Sequence, residues 1–192
     1  MKTIFKIVLL LLLLGLLFYF AIASNEQYRK KYSGIVLFDI DGTLSTGIEN
    51  EKVVQYFLDN NFAVGIMTAG AMYHPGNLHK FSWMPKNLYN FMLENSFNTF
   101  NNVVTNIVNG KKELIEIPSH GNLNFYENLG FKKAILLEKN AKLYNIHDYN
   151  KIILVDNDPS YINGAKKYNS KYKIICGGKP CSNYNLTLES VI

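Results

Sequence analysis

Four short apolar runs, with helix-period segments between them, constrain this chain more than any other feature. They are "GIVLF" (34–38), "FAVGIMT" (62–68), "KIILVD" (151–156) and "YKIICG" (172–177). Continuous apolar runs of this length suit strands buried on both faces. Between them, "ENEKVVQYFLDNN" (49–61) carries Val53, Val54, Phe57 and Leu58 at helical spacing. "KKAILLEKNAKLYNI" (132–146) places Ala134, Leu137, Ala141 and Tyr144 along one side. "PSYINGAKKYNSK" (159–171) opens on a proline, suited to a first helical turn, and is weakened by Gly164. Strands alternating with helices predict an α/β fold, a parallel sheet covered on both faces. Charged residues at 18% and hydrophobics at 48% exclude a disordered chain and a multi-span membrane protein.

Residues 69–131 break the rhythm. They hold Trp83, much of the Phe and Asn, and "VVTNIVNGKKELIEI" (103–117), where Asn109-Gly110 separates two β-like runs. That dipeptide is a strong hairpin signal. The reading is a helical piece around 86–96, then a hairpin, with 71–130 forming an insertion or a small cap on a domain spanning 33–192. No internal repeat is present.

The N-terminus is of another kind. "MKTIFKIVLLLLLLGLLFYFAIAS" has lysines at 2 and 6 and then 17 uncharged residues ending at Ala23. That length lies between a signal-peptide core and a membrane span, and "AIA" (21–23) fits a small-x-small cleavage site. Residues 1–23 are read as a targeting helix, a signal peptide or an uncleaved anchor, with 24–32 as linker. The expectation is the secretory pathway, with the product secreted or held by a single pass. Cys176 and Cys181, in "CGGKPC", can pair after export or remain free thiols; with no histidine nearby they make a poor zinc site. "NLT" (185–187) is a glycosylation acceptor compatible with export. The net charge of +5 forms no dense basic stripe with interleaved aromatics, so no nucleic-acid partner is expected.

The strand ends carry the chemistry. In an open parallel sheet ligands sit beyond the carboxyl ends of the strands. The first run ends in Asp39-Ile40-Asp41-Gly42-Thr43, the second in Thr68-Ala69-Gly70, the third in Asp156-Asn157-Asp158. One carboxylate of the first pair can attack phosphorus, and the other can protonate a leaving oxygen and then activate water. Their charges and a phosphate's repel unless a cation bridges them, and Asp156 adds a hard oxygen ligand suited to Mg²⁺. The Thr68 hydroxyl and the Gly42 and Ala69 amides are donors for phosphate oxygens. A lysine should neutralise what charge remains. Lys133, at the start of the predicted helix, is best placed; Lys132 and Lys139 compete with it.

The order "IVLFDIDGT", "VGIMTAG", "KKAILL", "KIILVDNDP" resembles the haloacid dehalogenase superfamily, its phosphatases in particular. The resemblance covers about 33–70 and 131–177. It implies a Rossmann-like three-layer fold, Asp39 as nucleophile and Asp41 as acid/base. It implies Mg²⁺ held by Asp39, the Asp41 carbonyl and Asp156. Asn157 replaces one of two adjacent acids common in the fourth motif, and is carried as a further metal-side residue. The reaction implied is hydrolysis of a phosphorylated substrate; alternatives are phosphotransfer through the same intermediate, or a non-catalytic binding protein on this fold. The short interval between Asp41 and Thr68 leaves no room for a large cap, so 71–130 is the expected source of specificity and the site is expected to be open. Two blander readings of Asp39 and Asp41 are an Asx turn capping a helix and a calcium loop. The second fails because the sixth and twelfth positions from Asp39 are Leu44 and Asn50. His74, His79, His120 and His147 have no metal spacing.

Overall fold

The computed structural model describes residues 11–16, 32–45, 49–69, 96–98, 103–108, 111–182 and 186–192. The chain divides into two compact units, 1–31 and 32–192. Within the first, 11–16 are helical; the rest of the targeting segment lies outside the described residues. No helix among the described residues is long and apolar enough to cross a membrane.

The second unit is an α/β sheet domain. Its strands are β1 (Gly34–Phe38), β2 (Phe62–Thr68), β3 (Ser96–Asn98), β4 (Val103–Val108), β5 (Lys111–Glu116), β6 (Ile152–Asp156) and β7 (Lys173–Cys176). Its helices are α1 (Asn50–Asp59), α2 (Phe125–Leu143) and α3 (Pro159–Tyr168). The sheet order is β5-β4-β3-β2-β1-β6-β7. From β3 to β7 every neighbouring pair is parallel; β4 and β5 run antiparallel at one edge. The chain winds outward from β1 through β2 to β3, then crosses back to β6 and β7. The winding therefore reverses between β1 and β6, which is where an open α/β sheet leaves a crevice.

Alternation along the strands makes two cores. Val36 and Phe38, with Val64, Ile66, Ile153 and Val155, pack under Val53, Val54 and Phe57 of α1. Ile35 and Leu37, with Met67, Ile152 and Leu154, pack under Ala134, Leu137 and Ala141 of α2. Helices thus cover both faces. Each fully buried Val, Leu, Ile, Phe or Met among them contributes about 1.5–3 kcal/mol.

The main departures from the sequence reading are at the start of α2, the hairpin and the end of α3. α2 begins at Phe125, seven residues before the expected start at 132, so Lys133 lies inside the helix and not at its opening. The cause is a capping box: the Asn124 side chain accepts the Glu127 N–H, and the Glu127 carboxylate accepts the Asn124 N–H. The hairpin forms with Val108 opposite Lys111 around Asn109-Gly110, yet it extends the main sheet through β3 and does not stand apart as a cap. α3 ends at Tyr168, earlier than the expected 171. The helical piece expected at 86–96, and Trp83, lie almost wholly outside the described residues.

Gly164, which weakens α3 by propensity, has a packing use. A Cβ at Gly164 would meet the backbone of Glu127, and one at Gly130 the backbone of Tyr161. Bare glycine on both helices lets α2 and α3 touch backbone to backbone. Lys167 and Glu127 close the same contact with a 2.7 Å ion pair.

Candidate active site

Register builds the centre of the site. Phe38 pairs with Val155, so the next residues, Asp39 and Asp156, leave β1 and β6 side by side. The ladder continues one step further, with the Asp39 N–H donating to the Val155 carbonyl at 2.8 Å. Both aspartates follow the phase of Leu37 and Leu154, so they face the α2 side of the sheet. α2 runs against the strands. Its end, Tyr144, packs edge-on against Tyr32 ahead of β1, so its beginning lies at the strands' carboxyl edge. Lys133 on this helix therefore reaches the aspartates. Its Nζ donates to Asp39 Oδ1 at 2.8 Å and to Asp156 Oδ2 at 2.6 Å. The other Asp156 oxygen, Oδ1, accepts the Asp158 N–H at 2.9 Å.

All three groups are removed from water: Asp39 is 4% exposed, and Lys133 and Asp156 are 0%. Burial pushes the Asp39 carboxyl up to about 7; Lys133 opposes the rise and the Asp156 charge adds to it. Burial alone would lower the Lys133 ammonium, but the two carboxylates outweigh it and hold the pKa above the ordinary lysine value. Among the described residues, two carboxyls share one ammonium in a dry place, an imbalance that is costly unless a cation or a proton completes it.

The turn after β1, Ile40–Leu44, presents the second acid. Asp41 has φ −74° and ψ 117°, and is exposed. Gly42 follows at φ 79°, the left-handed region, and a Cβ there would collide with the Asn157 side chain. Only glycine satisfies both conditions. Its N–H donates to Ser45 Oγ at 2.9 Å. From behind, buried Asn50 of α1 donates through Nδ2 to the carbonyls of Thr43 at 3.1 Å and Leu44 at 2.8 Å. Asp39 makes no side-chain cap to the turn, so the Asx-turn reading fails for Asp39: its carboxylate is committed to Lys133.

The remaining expected residues are placed as follows. Thr68 is buried at the end of β2, with the phase of Val64 and Ile66, so it leaves its strand toward the α1 side. Ala69 is half-buried just beyond it. Asn157 packs on Gly42 and donates through Nδ2 to the Lys179 carbonyl at 2.5 Å. Of the three competing lysines, Lys133 makes the contacts with Asp39 and Asp156. Lys132 is buried on the same helix, and Lys139 pairs at the surface with Glu113 at 3.0 Å.

Sequence reasoning missed two contributors. Tyr161, in the first turn of α3, sets its ring 4.6 Å from Lys133 Nζ and walls the ammonium from above. Its position just after the Asp156 motif was the available signal. The second is the loop 176–181. Cys176 and Cys181 are joined by a disulfide with Cα atoms 5.8 Å apart. The Cys181 N–H donates to the Asn157 carbonyl at 3.2 Å, and the Gly177 N–H to the Asp156 carbonyl at 2.8 Å. The closed loop thus buttresses the end of β6.

Among the described residues no three His, Cys, Asp or Glu side chains gather as a metal site. The carboxylates that meet number two, Asp39 and Asp156, on one ammonium. The expected third donor, the Asp41 carbonyl, is backbone. Hard oxygens carrying excess negative charge fit Mg²⁺ in chemistry. Comparison of the chain with family models, curated proteins and solved structures found no match.

Proposed function

We propose that the chain is a Mg²⁺-dependent phosphomonoester hydrolase working through an aspartyl phosphate on Asp39. The observation carrying this reading is the buried Asp39–Lys133–Asp156 group at the point where the sheet's winding reverses, with Asp41 exposed on the next turn. Asp39 and Asp156, with the Asp41 carbonyl, would hold Mg²⁺; when bound it supplies charge neutralisation for phosphate oxygens.

An Asp39 carboxylate oxygen attacks phosphorus and the ester P–O bond breaks. Asp41, facing solvent, gives its proton to the departing oxygen. Water then attacks the same phosphorus, Asp41 takes the water's proton, and the Asp39–phosphate bond breaks to release inorganic phosphate. Lys133 keeps Asp39 oriented throughout. The Ala69 amide is the proposed donor to phosphate oxygens, with the Gly42 amide once it leaves Ser45; Thr68, which follows the α1-side phase of Val64 and Ile66, would have to turn toward the Asp39 side to join them. The Cys176–Cys181 disulfide supports the reading of residues 1–23 as an export signal or anchor, since such bonds persist in oxidising compartments.

The test is hydrolysis of a generic aryl phosphate, with and without Mg²⁺, by wild type and Asp39→Asn. Mg²⁺-dependent turnover lost in the variant is expected. Equal rates in the two proteins would refute the assignment.

A further inference from the structure

The rim of the site carries aromatic side chains that no core accounts for. Phe125 is 65% exposed and Tyr126 is 56% exposed, in the first turn of α2. They are in edge contact, with ring centroids 5.4 Å apart. Tyr126 continues to Tyr161 at 6.3 Å, tilted by 35°. Tyr161 in turn stands 4.6 Å from Lys133 Nζ, the ammonium that holds both buried carboxylates. The rings therefore form a path from water down to the reacting centre.

The direction of α2 fixes where the path leads. The helix begins at the strands' carboxyl edge, and Tyr126 precedes Lys133 by seven residues, roughly 10 Å along the axis. Tyr126 thus rises above the centre, on the side from which a substrate enters. Large rings turned to water at a site mouth are surface held ready for a flat partner.

Resting on the phosphomonoesterase reading, we propose that Tyr161 and Tyr126 form a stacking subsite for an aromatic ring on the leaving-group side of the substrate. The ligand class is a small phosphomonoester bearing a planar aromatic group. The ring is attached either directly at the ester oxygen, as in an aryl phosphate, or beyond a sugar, as in a nucleoside 5′-monophosphate.

The experiment measures kcat/KM with Mg²⁺ for phenyl phosphate, a nucleoside 5′-monophosphate and the aliphatic control glycerol phosphate. The proteins are wild type, Tyr126→Ala and Tyr126→Phe. Taking each substrate as the ratio of variant to wild type cancels intrinsic leaving-group reactivity. Tyr126→Ala should lower the ratio for at least one aromatic substrate about five- to ten-fold below that for glycerol phosphate, through KM. Tyr126→Phe, which keeps the ring, should restore it. The aromatic substrate that responds identifies whether the ring sits at the ester oxygen or beyond a sugar. Equal ratios for all three substrates overturn the subsite while leaving the hydrolase reading intact. Absence of Mg²⁺-dependent hydrolysis on every substrate overturns the hydrolase reading, and the subsite falls with it.

Discussion

Asp39, Lys133 and Asp156 are each a poor choice for a core, and together they are interdependent. One ammonium contacts both carboxylates, at 2.8 and 2.6 Å. Lys133→Met would leave both buried carboxyls without their ammonium, and Asp39, already raised to about 7 with Lys133 in place, would be driven to hold a proton beside an unpaired Asp156. A buried pair broken in this way costs about 3–5 kcal/mol, so the variant should unfold at markedly lower urea than wild type. Asp39→Asn should act in the opposite sense when no divalent cation is present. Its folded pKa is raised to about 7 from an ordinary 3.8, by burial first and then by Asp156, against Lys133. A carboxylate raised in this way favours the folded state fully below the unfolded value. That contribution is lost as pH climbs from about 4 through about 7. In chelator, wild type should therefore lose more stability than Asp39→Asn between pH 5 and pH 8. Thermal melts of the two proteins at both values check this, and parallel losses would contradict it.

At the scale of elements, the sequence shows most where one rule governs. The four apolar runs are β1, β2, β6 and β7, because a short strand buried on both faces has little alternative. The start of α2 was harder to see. Its inner face carries Asn128, Lys132, Lys133 and Asn140, all buried, so apolar periodicity is diluted there. The cap at Asn124 and Glu127 was the better signal; removing it by Asn124→Ala should cost about 1 kcal/mol, read as a small fall in Tm. The hairpin was legible from Asn109-Gly110, but its attachment to β3 was not, because a hairpin's local signal says nothing about what its first strand, β4, meets on its other side. Tyr161 was hidden for a related reason: its role depends on the close approach of α2 and α3 at Gly130 and Gly164, which no single segment reveals. The disulfide loop gives a separable prediction. Cross-linking so short a loop is worth about 2 kcal/mol through the unfolded chain. Replacing Cys176 and Cys181 with serine should therefore lower Tm. Because the loop also holds Asn157 and the Asp156 carbonyl, it should weaken Mg²⁺ binding several-fold; a lower Tm with unchanged Mg²⁺ affinity would reduce the loop to a cross-link.

For the whole molecule, the deciding quantity is the charge that the described residues leave unfinished at the centre. Two cores, under α1 and α2, supply ordinary hydrophobic stabilisation on both sides of the sheet. Against it stands a centre with two carboxylates and one ammonium, sealed from water where the winding reverses between β1 and β6. A protein arranged only for stability would not keep this excess negative charge dry. Folding and ligand binding are then linked, because a cation that binds the folded centre and not the unfolded chain must raise stability. At a hundred times its Kd the gain is about 2.7 kcal/mol, a rise of roughly 5–10 °C in Tm for a domain of this size. Wild type should show this rise with Mg²⁺ near neutral pH, and should not show it with a monovalent salt of equal ionic strength. Asp39→Asn, with the excess charge removed, should show little of it even though it melts higher in chelator. The two curves should therefore converge as Mg²⁺ is added. Parallel curves at every Mg²⁺ concentration would mean that the excess charge is not what the cation answers, and the proposed metal role of Asp39 would have to be abandoned.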